Sequence, residues 1–344
     1  MGLGIRAVVA ALLIAVFYVL LAAVTWFGVV MVHDAVSDHA YSGSRRVFAA
    51  CFGLLFVVPA VRVVVAAVRR RAPGYPGVEV TRDAQPELWG FIEALAAACR
   101  VPTPTRIVVT GQADAAAESS AALFGTVRRE RTVYLGLPLL AVLDTAQAAA
   151  VVCHELGHHA RGESRLSALT YRSGDALVAT VVSGGMRGID TITDALFRAF
   201  AGLYFSVTFA LRRRQELAAD ALAARVAGTE ATAAALEALP LIGVSHVVYI
   251  FGNESGPIDG GLDPAADLPR FRDFYRIALA EVTLADEEPR RRFDSHPPIA
   301  ERVAAVRRTD NAPAVSIPSG PALDLVRTPE TVAVAAAEAL RSAR

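Results

Sequence analysis

The chain has 344 residues, enough for one large domain or two small ones, and its 34 basic residues balance 34 acidic ones. That balance excludes the global pull of a nucleic-acid binder, so no nucleic-acid partner is expected. Every basic residue is an arginine, and the three cysteines, Cys51, Cys99 and Cys153, are too far apart for a metal pattern or a disulfide framework. They read as small core hydrophobes in a reducing compartment.

Hydrophobic residues make up 54% of the chain and are concentrated near its start. Ala7 to Val32 carries no charge over 26 residues, which at about 1.5 Å per residue outlasts a hydrocarbon core of roughly 30 Å. A cleaved signal peptide has a shorter apolar region, of about 7–15 residues, so a retained membrane helix is expected. Val47 to Val68 reads as a second span, with Pro59 as a kink and Arg62 placed to snorkel near its end. Residues 1–72 therefore read as a membrane hairpin with spans at about 7–32 and 47–68, and a lipid bilayer as partner. Arg45 and Arg46 lie between the spans, whereas Arg6, Arg62 and Arg69 to Arg71 lie toward the other ends. The positive-inside bias then places both ends, and a catalytic domain that follows, on the cytoplasmic side of a multi-pass cell-membrane protein.

"APGYPG", Ala72 to Gly77, is a turn-rich boundary. Beyond it, residues 73–310 are expected to form one domain and 311–344 a C-terminal tail with a final helix. "QPELWGFIEALAAACR" reads as an amphipathic helix with Pro86 in its first turn, and "PTRIVVT" as a short strand. A small-residue loop, "ADAAAESSAALFG", leads to a second strand, Arg131 to Leu137, halted by Pro138. Asp144 and Gln147 form a capping-box variant, and Gly162 supplies a stop, so a helix is expected from about Thr145 to Arg161. Ala176 to Met186 is too short to span a membrane, and Ala195 to Leu211 is borderline. Polar loops are expected over Gly252–Arg270 and Ala285–Pro298, and helices over Ile299–Arg308 and about Pro329–Arg341.

The chemistry sits in "VVCHELGHHARGE". Positions four apart share a helix face, so His154 and His158 can address one metal ion, while Glu155 lies about 100° round the helix. Zinc with three protein ligands and one open position lowers the pKa of water there to about 7. Glu155 is then the general base, taking the proton and delivering it to the leaving amine, which is why this spacing suits peptide hydrolysis. The alternative is an ordinary helix that carries histidines. In "RRRQELAADALAARV", Glu216 and Asp220 are again four apart. Glu216 is a natural third ligand, and Asp220 could accept the other imidazole N–H of His154. An exposed helix with scattered acids is the competing reading.

"HELGH" followed by "RQELAAD" resembles the pattern of gluzincin metalloproteases, and more narrowly the HtpX and CaaX prenyl endopeptidase family of membrane metallopeptidases. "GVEVTRDAQPELWGFIEALAAACRVPTPTRIVV" and "DSHPPIAERVAAV" are similar to that family's flanking blocks, and the likeness runs from about Gly77 to Val306. It implies His154, His158 and Glu216 on Zn2+, Glu155 as base, and Asp220 behind the ligands. Where the family often has an Asn-Ala-rich stretch, this chain has "ADAAAESSAALFG".

Further residues carry two readings each. "VYLGL" is a candidate for pairing with an extended substrate, or a strand of the sheet only. His296, before Pro297 and Pro298, is a catalytic candidate for polarising the scissile carbonyl, stabilising the oxyanion or filling the open metal position; otherwise it caps or packs a helix. Arg302 reads as a salt-bridge or surface residue, His159 as solvated, and His246 as a core or interface histidine. Arg212 to Arg214 are an interfacial cluster beside anionic lipid or a solvated face. Glu216 must meet His154 and His158, so the chain crosses a membrane an even number of times between them. Ala195 to Leu211 is therefore expected to belong to a long helix running into Glu216, packed on the core or against the bilayer.

The fold class expected is mainly α with a small β-sheet (α+β), a zincin-like metalloprotease domain preceded by a transmembrane helical hairpin. The function expected is zinc-dependent endopeptidase action on protein or peptide substrates, membrane-associated or misfolded. The competing class is a non-catalytic or signalling membrane protein that keeps the fold, against which the intact Glu155 argues. A prenylated-peptide protease is a third reading, for which the span count is low.

Overall fold

A computed structural model describes residues 3–37, 43–54, 57, 75–122, 127–160, 191–251, 267–281 and 297–342. The chain divides into two compact units, Met1–Pro73 with Glu163–Arg212, and Gly74–Gly162 with Arg213–Arg344.

In the first unit the uncharged run forms helix α1, Leu3–Ser37, of 35 residues. It leaves Leu12, Val16, Val19, Leu20, Trp26 and Phe27 exposed. Residues 43–54 are also helical and approach α1 closely at Gly53, where a Cβ would stand 2.7 Å from the Gly28 carbonyl oxygen. Of the second expected span, 55–56 and 58–68 lie outside the described residues. Ala195 to Leu211 is indeed part of one long helix, which contains Glu216 and runs over Thr191–Ala227. Its residues up to Arg212 group with the first unit. There Tyr204 is fully buried with Ala10 of α1, and Phe200, Phe205 and Val207 pack around them with Leu13 and Ile14. This stretch thus packs on α1.

The second unit is built around a four-stranded mixed sheet of β1 (Gly77–Val80), β2 (Arg106–Thr110), β3 (Ala115–Ala122) and β4 (Val127–Gly136), in the order β1-β2-β4-β3. β2 and β4 run parallel; the outer pairs are antiparallel. Successive side chains point to opposite faces, so Ile107, Val109, Val133 and Leu135 share the face that joins the core. Helix α2, Pro86–Ala98, meets them with Leu88, Ile92 and Leu95, one apolar stripe at helical spacing. The strand expected from Arg131 begins earlier, at Val127, and both its edges are occupied, so "VYLGL" has no free backbone for a substrate. The expected small-residue loop is instead β3, the edge strand. Pairing with β4 overrides the low strand propensity of its alanines and serines.

After short helix α3, Leu137–Val142, the motif helix α4 runs Thr145–Ala160. Its capping box forms: Gln147 N donates to Asp144 Oδ1 at 2.7 Å, and Asp144 N to Gln147 Oε1 at 3.0 Å. Helix α5 is Thr191–Ala227, followed by α6 (Thr229–Phe251), α7 (Leu268–Glu281), α8 (Ile299–Arg307) and α9 (Pro329–Ser342). Among the helices whose side chains are described without a break, Thr229–Ile250 of α6 is long and apolar enough to cross a membrane by length and composition. Its Ala233, Ala235, Leu236, Leu241 and Ile242 are buried, as in a core helix.

The segment after Asp310 is woven into this unit. Thr145 N and Oγ1 both donate to Gly320 O at 2.9 Å, and Ala322 N donates to Leu143 O at 3.0 Å, which fixes the start of α4. Arg327 N donates to Gln85 Oε1 at 2.6 Å and Gln85 Nε2 returns a bond to Arg327 O at 2.9 Å. Val332, Ala333 and Ala336 of α9 join the main core, and Leu340 is buried on the same face. Leu340→Ala is expected to cost about 2 kcal/mol, read as a lowered midpoint of thermal unfolding; an unchanged midpoint would separate α9 from the cooperative unit.

Candidate metal centre

One turn of α4 separates His154 from His158, and their Nε2 atoms stand 3.3 Å apart with the rings edge to face. Glu216 comes from α5. Its Oε2 lies 3.6 Å from His154 Nε2 and its Oε1 3.7 Å from His158 Nε2. One donor atom from each of the three residues falls within 4.8 Å of every other. Donors held about 2.0–2.1 Å from a tetrahedral zinc stand about 3.3 Å apart, so this donor set fits such an ion. Glu216 is 7% exposed at its side chain and His158 26%, so the cluster is closed behind the carboxylate and opens beside His158.

Asp220, one turn after Glu216, places Oδ1 2.9 Å from His154 Nδ1. That contact turns the other nitrogen, Nε2, toward Glu216 and His158. Arg302 of α8, expected as a salt-bridge or surface residue, is a buried ion-pair partner. Its Nε donates to Asp220 Oδ2 at 2.8 Å and its Nη2 to Oδ1 at 2.7 Å. Nη2 also lies 3.6 Å from Glu216 Oε2 and 3.4 Å from His154 Nδ1. Burial works to raise the Asp220 carboxyl, but the hydrogen bonds from Arg302 and His154 and their charges outweigh it and hold it at about 2.

Glu155 points elsewhere, as its place on the helix requires. Its carboxylate accepts the backbone N–H of Ala117 on β3 and feels Asp114 and Glu216. Burial pushes it up to about 7, against the pull of His154. Tyr75, whose ring lies 5.2 Å from that of Tyr134, also feels Asp114, Glu155 and Glu118. The base candidate, the edge strand and these side chains thus share one neighbourhood.

Two features of this arrangement are invisible in the motif spacing. The first is Arg302. The second is Gly157, the glycine inside "HELGH": a Cβ there would stand 3.1 Å from Ala219 Cα and 3.2 Å from Ala219 Cβ. The lack of a side chain lets α4 and α5 approach until Glu216 and Asp220, on either side of Ala219, reach the two histidines. The remaining candidates fall as follows. His296 and the side chain of His159 lie outside what is described. His246 is half-buried, its Nε2 3.2 Å from Gly111 O and its ring edge-on to Phe271, apart from the cluster. Arg213 pairs with Glu301 and Arg212 lies over the Phe205 ring.

Two histidines on one helix, a carboxylate from a second helix and a glutamate against an edge strand are the side chains that metal-dependent peptide hydrolysis would need. The sequence pattern of peptidase family M48 matches residues 83–310, and the chain belongs to that family. It is 30% identical over 212 residues to the protein called Protease HtpX of Xanthomonas oryzae pv. oryzae (strain PXO99A), covering 55% of this chain and 62% of that relative. Likeness to Protease HtpX of Xanthomonas euvesicatoria pv. vesicatoria (strain 85-10) is also 30%, over 216 residues and the same shares of both chains. The match thus spans about 62% of the length of these relatives. No solved structure matches the chain.

Gly157→Val adds methyl groups where even a Cβ is tight, so it is expected to part α4 from α5 and weaken metal binding by about tenfold or more. Competition with a chelator measures this; unaltered affinity would mean that the Ala219 contact yields without moving Glu216.

Proposed function

We propose that the chain is a membrane-anchored, zinc-dependent endopeptidase that hydrolyses peptide bonds in membrane-associated or misfolded proteins. The observation that carries the reading is the convergence of His154, His158 and Glu216, with Glu155 set beside them against an edge strand. Zinc at that donor set would supply Lewis acidity, polarising a carbonyl and lowering the pKa of water at its open position to about 7.

The chain's own residues supply the rest. His154 and His158 present Nε2, and Asp220 keeps the proton of His154 on Nδ1. Glu155 takes the proton of the attacking water and hands it to the leaving amine. An extended substrate adds to the outer edge of β3, whose main-chain groups bind any sequence; the Ala117 contact sets the base next to that path. His296 is the candidate for polarising the scissile carbonyl, stabilising the oxyanion or filling the open metal position. A non-catalytic role is disfavoured because a pure metal scaffold has no use for a carboxylate in the place of Glu155.

For the anchor, α1 is about 52 Å long at 1.5 Å per residue, beyond a hydrocarbon core of about 30 Å, and it exposes large apolar side chains along its length. The apolar sequence of residues 47–68 supports a second pass, and the arginine distribution supports a cytoplasmic catalytic domain. The packing of Phe200, Tyr204 and Val207 on α1 favours an anchor in which the first half of α5 shares the bilayer with α1. An even number of crossings between His158 and Glu216 keeps the centre on one side.

Glu155→Gln is expected to keep zinc and to lower casein cleavage by at least about 10²–10⁴-fold in detergent-purified protein; cleavage at the original rate would remove the base assignment. Glu216→Ala should empty the centre, and full zinc content there would assign the third ligand elsewhere. For the anchor, a single cysteine at Leu203 in a chain whose native cysteines are replaced should resist a water-soluble maleimide in intact vesicles and react once detergent is added. Rapid labelling before detergent would take α5 out of the bilayer.

A further inference from the structure

We propose that Arg302 is a positioning residue of the metal centre, fixing Asp220 by a two-nitrogen fork and bracing Glu216 and His154 with the same guanidinium. The inference rests on the metal reading of His154, His158 and Glu216 given above. It goes beyond that reading by assigning the ligand geometry to a fourth element, α8.

Burial is the first argument. The Arg302 side chain is 7% exposed, and the carboxylates it faces are 7% and 2% exposed. A cation is kept at such depth only where it is paired and hydrogen-bonded, and two acids one turn apart in that depth need one to offset their repulsion.

The second argument is the fork. Nε and Nη2 take separate oxygens of Asp220, at 2.8 and 2.7 Å. A planar guanidinium donating twice fixes the plane of the carboxylate as well as its position. Asp220 is thereby held at 2.9 Å from His154 Nδ1 and kept from turning in to compete for the metal. The Nη2 that closes the fork also stands 3.6 Å from Glu216 Oε2 and 3.4 Å from the His154 ring, so one atom touches the orienting acid and faces two ligands. A lysine ammonium is a point charge and cannot hold this geometry.

The third argument is the platform. Arg302 N donates to Pro298 O at 3.1 Å in the first turn of α8. Its neighbour Val303, with Val306, is buried against Ala224 of α5 and Ala233 and Leu236 of α6. Its other neighbour, Glu301, pairs with Arg213, two turns before Asp220 on α5. The guanidinium is therefore delivered from a helix tied to α5 at two points. A flexible surface arm would not fix Asp220 in this way.

The test reads zinc transfer to a chromogenic chelator from zinc-loaded full-length protein in detergent, for the unaltered chain, R302K, R302Q, D220N and the R302Q/D220N double variant. Circular dichroism restricts the comparison to folded protein. R302Q leaves Asp220 buried without its cation; the double variant removes both charges and R302K keeps one, so each remains informative if R302Q does not fold. R302Q is expected to lose zinc affinity by about 10–100-fold, with R302K between it and the unaltered chain. Because Arg302 acts chiefly through Asp220, the double variant should bind zinc little more weakly than D220N alone. Unaltered affinity in R302K and R302Q overturns the inference, as do losses from R302Q and D220N that multiply in the double variant. An unaltered chain that takes up no zinc overturns the metal reading itself, which separates that failure from the failure of Arg302.

Discussion

The approach of α4 to α5 at Gly157 and Ala219 is the contact on which the rest of the site depends. Backbone and the Ala219 methyl group stand nearest at this point, with Ala219 Cα 3.1 Å and Leu222 Cδ2 3.4 Å from where a Gly157 Cβ would be. At that distance short side chains suffice: imidazoles from one helix and carboxylates from the other meet within 2.9–3.7 Å. A bulkier pair would hold the helices further apart, and carboxylates of this length would not reach. The site is thus a consequence of helix packing, and its precision is that of a close-packed interior.

Close packing creates an electrostatic difficulty that the fold also resolves. Glu216 and Asp220 are both buried, and neighbouring acids in low dielectric favour protonation of one. Arg302 offsets this at Asp220, whose carboxyl is held well below its ordinary range, while Glu155 is pushed the other way by burial. The two acids are therefore set apart by their surroundings: Asp220 stays ionised beside the His154 imidazole, while burial brings Glu155 to about 7. Such separation of acid strengths by environment is the usual basis for acid–base chemistry at one site.

Much of this was legible in the sequence, and the limits have physical causes. The four-residue spacings of His154 with His158 and Glu216 with Asp220 encode a shared helix face, and the Asp144–Gln147 box encodes where α4 begins. Those are local properties, and local rules read them. β3 was not legible because "AAAESSAA" has little intrinsic strand preference; its conformation comes from β4, a partner known only once the sheet has formed. For Arg302 the salt bridge was legible and is borne out, but its burial and its partner Asp220 were not. Spacing cannot say which of 34 arginines enters the interior, and the choice is made by Val303 and Val306 seating α8 against α5 and α6. Gly157 reads in sequence as a weak point in a helix, and only the neighbouring helix shows why a side chain is absent there.

The alanine content of the edge strand suits its proposed task for a related reason. A substrate that pairs with β3 must lie against main-chain groups, and large side chains on the strand would stand between the incoming chain and Glu155. Ala115, Ala116 and Ala117 present little besides backbone, and the N–H of Ala117 is already directed at the Glu155 carboxylate. The same composition that hid this strand from propensity arguments therefore suits the proposed pairing, since it puts little side chain between a substrate backbone and Glu155. On that proposal selectivity comes from elsewhere: from side chains near the strand, such as Tyr75 and Glu118, and from the proposed anchor, which limits which proteins come within reach.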